Sequence, residues 1–592
     1  MARKKEIKSF NLLESPIEGT NLIEASAGTG KTYTITGLFL RLILEKRFSV
    51  DEILVVTYTV AATEELRDRI RKKLRETLEA FGTGCSKEAF VGGLLRKIPD
   101  KKAAVEVLRE ALHDFDKAPI FTIHGFCQRM LHENAFESGS LFDTELITEQ
   151  GSLKEGVVLD FWRRHFYEAP PELVSYAQEK KISPKYFLGL LGNRITQPDL
   201  QIVPDCEPSE LKSLKPFREA FEMLKKDWQR TRAEVLKKLD DPGLSQVKYK
   251  NGPRFMAAMD SYLAGAWGTL PLFEDFVKFT PGVLEGGTKK GFAPPEHPFF
   301  NICEALRKKA EVLQEEMDRQ ILFLKREIFR YVKEELPSRK ERQNIQFFDD
   351  LLTKLRSSLE TEGGDELAGA IRRKYRAALV DEFQDTDPVQ YAIFRSVFSG
   401  KDSLLFLIGD PKQAIYSFRG ADLFAYMRAA GQVNTRYTLT KNWRSEPGLI
   451  KAVNTLFSNR ENPFMYDAIP FEPGTAEERK DRDLLTVNGK SESSFNLWFV
   501  DATKLTGTGK AITKGLAGDL VPQAVASEIS RLILLGQKGK ARIGVNNLRE
   551  GDIAVLVRTN IEARDVQEQL TRLGIHSVLH STGNLFESDE AL

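Results

Sequence analysis

The run Ala25-Ser26-Ala27-Gly28-Thr29-Gly30-Lys31-Thr32 sets small residues, two glycines, a lysine and a hydroxyl in an order suited to holding phosphate. The segment Asn21 to Ala25 before it reads as a strand, and Lys31 to Leu44 after it reads as a helix, which is the context a phosphate loop requires. Small side chains let backbone N–H groups and the helix N-terminus converge on phosphate oxygens. Lys31 would reach the β and γ phosphates, and the Thr32 hydroxyl would ligate Mg2+. The other half of such a site is an acidic residue at the end of a buried strand, which Ala377-Ala378-Leu379-Val380-Asp381-Glu382 supplies. Asp381 is expected to hold Mg2+, and Glu382 to orient and deprotonate the attacking water. Separately these are an ordinary Gly-rich turn and an acidic turn; together they point to ATP with Mg2+.

Lys31 and Asp381 are far apart in the chain, so the elements that join them must leave room for an insertion. The first 145 residues alternate short apolar runs with amphipathic helices, the pattern of a parallel α/β sheet, with a second strand at Ile53 to Thr57 and a helix at Ala61 to Leu78. That helix carries Arg67, Arg69, Arg71, Lys72, Lys73 and Arg75, read as a solvated face. From 146 to 345 the β-branched runs fade into charged, helical sequence. There Leu306, Ala310, Leu313, Met317, Ile321, Leu324, Ile328 and Val332 form one apolar stripe. Its helix is expected to stop before Pro337 and to reach about 45 Å. The α/β pattern then returns, with strands at Arg376 to Val380, Ser403 to Ile408, Arg436 to Leu439, Asn496 to Val500 and Asp552 to Val557. Helices are expected near Val521 to Leu535 and Ile561 to Leu573.

Across 592 residues, Lys plus Arg number 86 and Asp plus Glu 85, a net charge of +1, so any polyanion site must be local. Cys85, Cys127, Cys206 and Cys303 have no metal-ligand spacing and read as reduced thiols. The basic start Met1 to Glu6 is not followed by a signal-peptide core, and no apolar run of about 18 residues occurs, so a cytoplasmic protein without a membrane span is expected.

Six motifs, in order, carry a family resemblance. They are Glu24 to Thr32; Thr57-Tyr58-Thr59-Val60-Ala61-Ala62; Phe121-Thr122-Ile123-His124-Gly125-Phe126-Cys127; Asp381-Glu382-Phe383-Gln384-Asp385-Thr386-Asp387; Gly409 through Gly420; and Asn442-Trp443-Arg444-Ser445. The chain resembles superfamily 1 DNA helicases of the UvrD/Rep type, and within them the RecB-like subunits of bacterial exodeoxyribonuclease V. The resemblance implies an α/β P-loop NTPase of tandem RecA-like parallel-sheet domains with a large helical insertion, 1B, in the first. The expected bounds are 1–145 for the first part of domain 1A, 146–345 for 1B, 346–435 for the second part of 1A, and 436–592 for an incomplete 2A. It further implies that Gln413 senses the γ-phosphate, Arg444 contacts it and Trp443 stacks on adenine. Thr57, Tyr58, His124, Tyr416, Phe418 and Arg419 would face single-stranded DNA. Glu18 stands where the family's adenine-reading glutamine is expected, and a carboxylate cannot donate to the base as an amide does, so weaker ATP-over-GTP discrimination is expected.

The leading reading is therefore the motor portion of a RecB-like subunit: ATP-dependent 3′ to 5′ translocation and unwinding from double-strand DNA ends in recombinational repair, with RecC-like and RecD-like partners. Three readings stand beside it: an AddA-type or UvrD/Rep-type helicase without nuclease, a nucleotide-gated single-strand-binding module without turnover, and a P-loop kinase. Phe586 to Leu592 resembles a helix start without a stop signal. The family's later motifs, an arginine of the ATP site among them, would fall beyond Leu592, so nucleotide binding with poor hydrolysis is expected.

Overall fold

The computed structural model describes residues 7–138, 144–147, 149–192, 199–249, 252–398, 403–415, 422–477, 484–507 and 509–579. The chain divides into two compact units, residues 1–123 with 368–592, and residues 124–367.

Seven strands build the main sheet of the first unit: β1 (Ile7–Ser9), β2 (Thr20–Ala25), β3 (Ile53–Thr57), β4 (Ile120–Thr122), β5 (Ala377–Val380), β6 (Leu404–Gly409) and β7 (Thr435–Leu439). Their spatial order is β1-β7-β2-β6-β5-β3-β4, and every neighbouring pair is parallel. In register, Ile23 of β2 lies opposite Ile408 of β6 and Tyr437 of β7. A parallel sheet covered on both faces needs strands that are apolar almost throughout. Ile-Leu-Val-Val-Thr of β3 and Leu-Leu-Phe-Leu-Ile-Gly of β6 meet that need, and all of their residues are buried.

Helix α1 (Lys31–Lys46) leaves the phosphate loop and buries an unbroken run from Thr34 to Leu44. Helix α2 (Val60–Thr83) starts where the Thr59 side chain accepts from the Ala62 N–H at 3.1 Å and ends at Gly84, whose φ of +77° suits a residue without a Cβ. Most of its basic side chains face acidic neighbours: Arg69 with Glu65, Lys72 with Glu76, Lys73 with Glu88 and Arg71 with Asp116.

The spine of the second unit is a helix of 45 residues, Pro298–Arg342, roughly 67 Å long at the usual rise. The stripe from Leu306 to Val332 lies in one core together with Phe217, Phe221, Leu224 and Trp228 of the helix Leu214–Leu239. This helix continues past Pro337, where the sequence expectation ended it. Proline removes one helical hydrogen bond at a cost of about 3 kcal/mol. Contacts on either side of it offset that: Leu336 is buried, Lys340 pairs with Asp350 at 2.7 Å, and Arg339 pairs with Asp160 at 2.5 Å and Glu335 at 2.9 Å.

After β7 the described residues of the first unit form small sheets: a parallel pair, Lys441–Asn442 with Thr475–Ala476, and an antiparallel set built on Leu485–Val487 and Ala541–Ile543. Helices Lys514–Gln537 and Asn560–Arg572 pack together through Ala526, Ile529, Ile533, Val566 and Leu570. The strands expected at Asn496 to Val500 and Asp552 to Val557 do not form. Their composition favours strands, but no neighbouring strand completes a ladder, and Phe499 and Leu556 are 91% and 96% exposed. Phe586 to Leu592 lies outside the described residues. No helix among the described residues is long and apolar enough to cross a membrane.

The long helix should dominate the stability of its unit. Leu313→Ala, at a fully buried position, is expected to destabilise that unit by about 2–5 kcal/mol. Urea unfolding read through Trp162, Trp228 and Trp267 checks this; a shift no larger than that of an exposed control such as Glu315→Ala would show the stripe is not the core.

Candidate nucleotide-binding site

Because all seven strands run the same way, the segments leaving their C-terminal ends collect at one edge of the sheet, where α/β folds bind ligands. From β2 comes the loop Ala25 to Thr32, from β5 Asp381 and Glu382, from β6 Asp410 and Gln413, and shortly after β7 Asn442, Trp443 and Arg444.

The loop takes its shape from two glycines at positive φ, Gly28 at +78° and Gly30 at +97°, and from Thr29, whose N–H and hydroxyl both donate to the Ser26 carbonyl at 3.1 and 2.7 Å. A Cβ on Gly28 would lie 2.8 Å from the Arg444 Cβ and from the Asn442 Nδ2. The Asn442-Trp443-Arg444 segment is hooked onto this loop. Asn442 Nδ2 donates to the Ala27 carbonyl at 2.8 Å and the Trp443 N–H to the Gly28 carbonyl at 2.8 Å, while Asn442 Oδ1 accepts from the N–H groups of Arg444 and Ser445. Trp443 remains 43% exposed, with the Lys441 ammonium 4.7 Å from its ring centre. Just before the loop, Glu24 forms a buried ion pair with Arg436 of β7.

Lys31 Nζ donates to Glu382 Oε2 at 2.6 Å. Glu382 is in the left-handed region at φ +48°, and its N–H donates to Asp381 Oδ1 at 2.9 Å. Burial, and after it the charge of Glu382, push the Asp381 carboxyl up to about 7, against the Glu382 N–H and the Lys31 ammonium. Burial and Glu382 likewise raise Asp385 to about 6. Gln384 donates from Nε2 to Glu382 Oε2 at 2.7 Å, and its Oε1 accepts from the Asp410 N–H at 2.9 Å. Asp410 in turn accepts from Gln413 Nε2 and pairs with Lys412, both at 2.8 Å.

The structure thus brings together Ala25 through Thr32, Asp381, Glu382, Gln413, Trp443 and Arg444. Glu18 is not among them: it precedes β2, at the opposite edge of the sheet, about 20 Å away along a six-residue strand. There it borders a cavity of about 590 Å³ with Lys8, Asn11, Glu14, Asn434 and Tyr437. The basis for relaxed base selectivity is therefore absent. Thr57, expected on the DNA side, is fully buried at the end of β3, and its hydroxyl has no hydrogen-bond partner among the described residues. Tyr58 is half-buried. His124, in the second unit, has Nε2 3.7 Å from Asp349 Oδ1 and meets the Phe348 ring edge-on. Tyr416, Phe418 and Arg419 lie outside the described residues. Residues with no role expected from sequence are Gln384, Asp410 and Asn442; they stand inside the quoted motifs, but their partners become visible only in three dimensions.

The site suits a nucleotide-borne cation. Among the described residues no group of three or more His, Cys, Asp or Glu side chains could hold a metal alone. Mg2+ is commonly held by one or two protein oxygens plus phosphates and water, and a carboxyl raised to about 7 by burial is one that a cation would return to the charged form.

Residues 8–434 match the family described as UvrD/REP helicase N-terminal domain. The chain is 36% identical to the RecBCD enzyme subunit RecB of Escherichia coli K12 over 99% of its length and 50% of that protein. It is 34% identical to the Haemophilus influenzae subunit of the same name, over 98% of this chain and 51% of that protein, and 28% identical to that of Mycobacterium tuberculosis H37Rv, over 97% and 41%. It spans about half or less of the length of these curated relatives. With a phosphate loop and an acidic pair at one edge of a parallel sheet, and a family match over most of its length, this chain belongs to the UvrD/REP helicase N-terminal domain family.

Proposed function

We propose that the protein binds ATP with Mg2+ at this edge and couples hydrolysis to 3′ to 5′ movement along single-stranded DNA. In this reading it is the motor portion of a RecB-like exodeoxyribonuclease V subunit, working in the cytoplasm with RecC-like and RecD-like partners on duplex ends during recombinational repair. The observation that carries the reading is the 2.6 Å contact of Lys31 with Glu382. A phosphate-seeking ammonium and a carboxylate suited to accept a proton meet at the mouth of a glycine loop.

Lys31 has a better partner in a triphosphate than in one carboxylate, so nucleotide binding would draw its ammonium into the loop and free Glu382 Oε2 to take a proton from water. Thr32 and Asp381 are the residues that would hold Mg2+, which supplies charge compensation for the phosphates when bound. Trp443 offers an exposed face for the base, and Arg444 lies beside Gly28 within the same loop cluster. Strand contact falls to Tyr58, Tyr416, Phe418, Arg419 and His124, because aromatic faces stack on bases at about 1–3 kcal/mol each and cations follow the backbone. Buried Thr57 is left out of that set.

Hydrolysis assayed with and without oligo(dT) tests the reading. Single strands should stimulate turnover. Lys31→Ala should abolish nucleotide binding, and Glu382→Gln should keep binding while lowering turnover on the order of 10² to 10⁴. Nucleotide binding indifferent to Lys31 would sink the assignment.

Gly28→Ala adds a methyl group 2.8 Å from Arg444 and Asn442 at a φ of +78°, so fluorescent-nucleotide titration should show markedly weaker binding; full affinity would mean the loop does not cradle phosphate. Glu18→Gln should leave the ATP-over-GTP preference unchanged in competition binding, and a shift would place the base at the far edge after all.

A further inference from the structure

The antiparallel sheet that follows β7 has two unlike faces. Its strands lie in the order Lys490–Ser491, Leu485–Val487, Ala541–Ile543, Asn546–Asn547. One face carries Leu485, Val487, Ala541 and Ile543, which pack with Leu532 and Leu535 of the helix Lys514–Gln537. Alternation along each strand sends the intervening residues to the other side. In register across that side stand Ser491, Thr486, Arg542 and Asn547. By the same alternation Lys540, two before Arg542, and Arg549, two after Asn547, belong to it. Ser491, Lys540, Arg542, Asn547 and Arg549 are all exposed.

This outer face is short of carboxylates. From 538 to 552 the charged side chains are Lys538, Lys540, Arg542 and Arg549 against Glu550 and Asp552, whereas the whole chain is balanced at 86 to 85. Asp552 already accepts from the Arg549 N–H at 2.9 Å, and Glu492, next to Ser491, acts on Arg531 of the helix beneath. No ion pair among the described residues engages Lys538, Lys540, Arg542 or Arg549, in contrast to helix α2, whose cations face carboxylates. The Arg542 guanidinium and the Asn547 amide converge over Gly539: a Cβ there would lie 3.5 Å from Arg542 Nη2 and 3.8 Å from Asn547 Oδ1. A guanidinium, an amide, two hydroxyls and flanking cations are the groups that hold phosphate oxygens. Like charges gathered without counter-charge repel one another, and a polyanion relieves that repulsion.

Resting on the DNA-translocation reading above, we propose that the outer face of this sheet docks the phosphate backbone of duplex DNA. Duplex, and not single strand, follows from the composition of the face. Single strands are held by bases stacking on aromatic rings, and no aromatic residue stands in the row Ser491, Thr486, Arg542, Asn547 or beside it at Lys540 and Arg549. A duplex keeps its bases inside and offers phosphates outside. The dimensions agree: three inter-strand spacings make the face about 14 Å across, close to the ~12 Å width of the B-DNA major groove. Residues at the Ser491 and Arg549 margins can therefore reach phosphates on the two sides of one groove. Such a contact reads no sequence, which suits a protein that must move along its substrate.

The test is binding of the full chain to a labelled hairpin duplex without a single-stranded tail, and separately to labelled oligo(dT), by anisotropy over a salt series. In the triple variant Lys540→Ala, Arg542→Ala, Arg549→Ala, duplex affinity should fall on the order of 10-fold. The slope of log affinity against log salt should flatten by about 2 to 3, because each lost phosphate contact removes roughly 0.9. Affinity for oligo(dT) and for a non-hydrolysable ATP analogue should stay unchanged, which also reports that the variant is folded. Ser491→Glu keeps every cation and sets a carboxylate in the exposed row, so it should weaken duplex binding by an independent route and guards against a triple variant that fails to fold. Unchanged duplex affinity and slope in the folded variants overturn the dock. So does an equal loss for oligo(dT), or an unaltered chain that binds oligo(dT) but no duplex. An unaltered chain that binds neither DNA overturns the translocation reading itself, and the dock with it.

Discussion

The common direction of the seven strands is the constraint from which the site follows. Parallel strands need crossovers rather than tight hairpins, and each crossover returns the chain to the same starting edge, so the residues that follow every strand gather at the other. Residues as far apart as Lys31 and Glu382 meet at 2.6 Å because β2 and β5 both end there. The crossover between β4, ending at Thr122, and β5, beginning at Ala377, is long enough to carry the whole helical unit 124–367 without disturbing the sheet. Loop closure grows costlier only slowly with length, which is why a fold of this kind tolerates so large an insertion.

Electrostatics at that edge are unbalanced. Lys31 faces a cluster in which Asp381, Glu382 and Asp385 compete for one ammonium, and the two aspartates with the least water are pushed toward their neutral forms. Such an arrangement is poorly matched to itself and well matched to a ligand that brings its own cation. The structural ion pairs elsewhere are different in kind: Arg218 with Glu172, or Arg339 with Asp160 and Glu335, are balanced by their own partners.

Much of this was legible in the sequence where the signal is local. Strand β3 occupies Ile53 to Thr57 as expected, and the phosphate loop and the Asp381-Glu382 pair lie next to strands whose apolar runs announce them. Glu18 shows the limit: standing just before a strand and standing just after it look alike in a sequence, yet they are opposite edges of a sheet. Thr57 ends a buried strand, and its burial depends on neighbours the chain supplies much later. Asn442 and Gln384 could not be assigned because their partners are 415 and 26 positions away. The helix runs through Pro337 because a local rule yields to packing around Leu336 and Lys340, and the segments Asn496 to Val500 and Asp552 to Val557 form no strand because strand propensity counts only where another strand is present.

Glu382 carries a consequence of a different sort. Its backbone is in a conformation that costs a side-chain-bearing residue of order 1 kcal/mol or more, and that glycine adopts freely. Its side chain also raises the ionisation cost of the two buried aspartates beside it. A replacement at position 382 would relieve that backbone conformation and that repulsion together, while taking from Lys31 and the buried Gln384 amide the carboxylate oxygen they share. The position marks where local backbone preference and charge balance both yield to the contacts of one side chain.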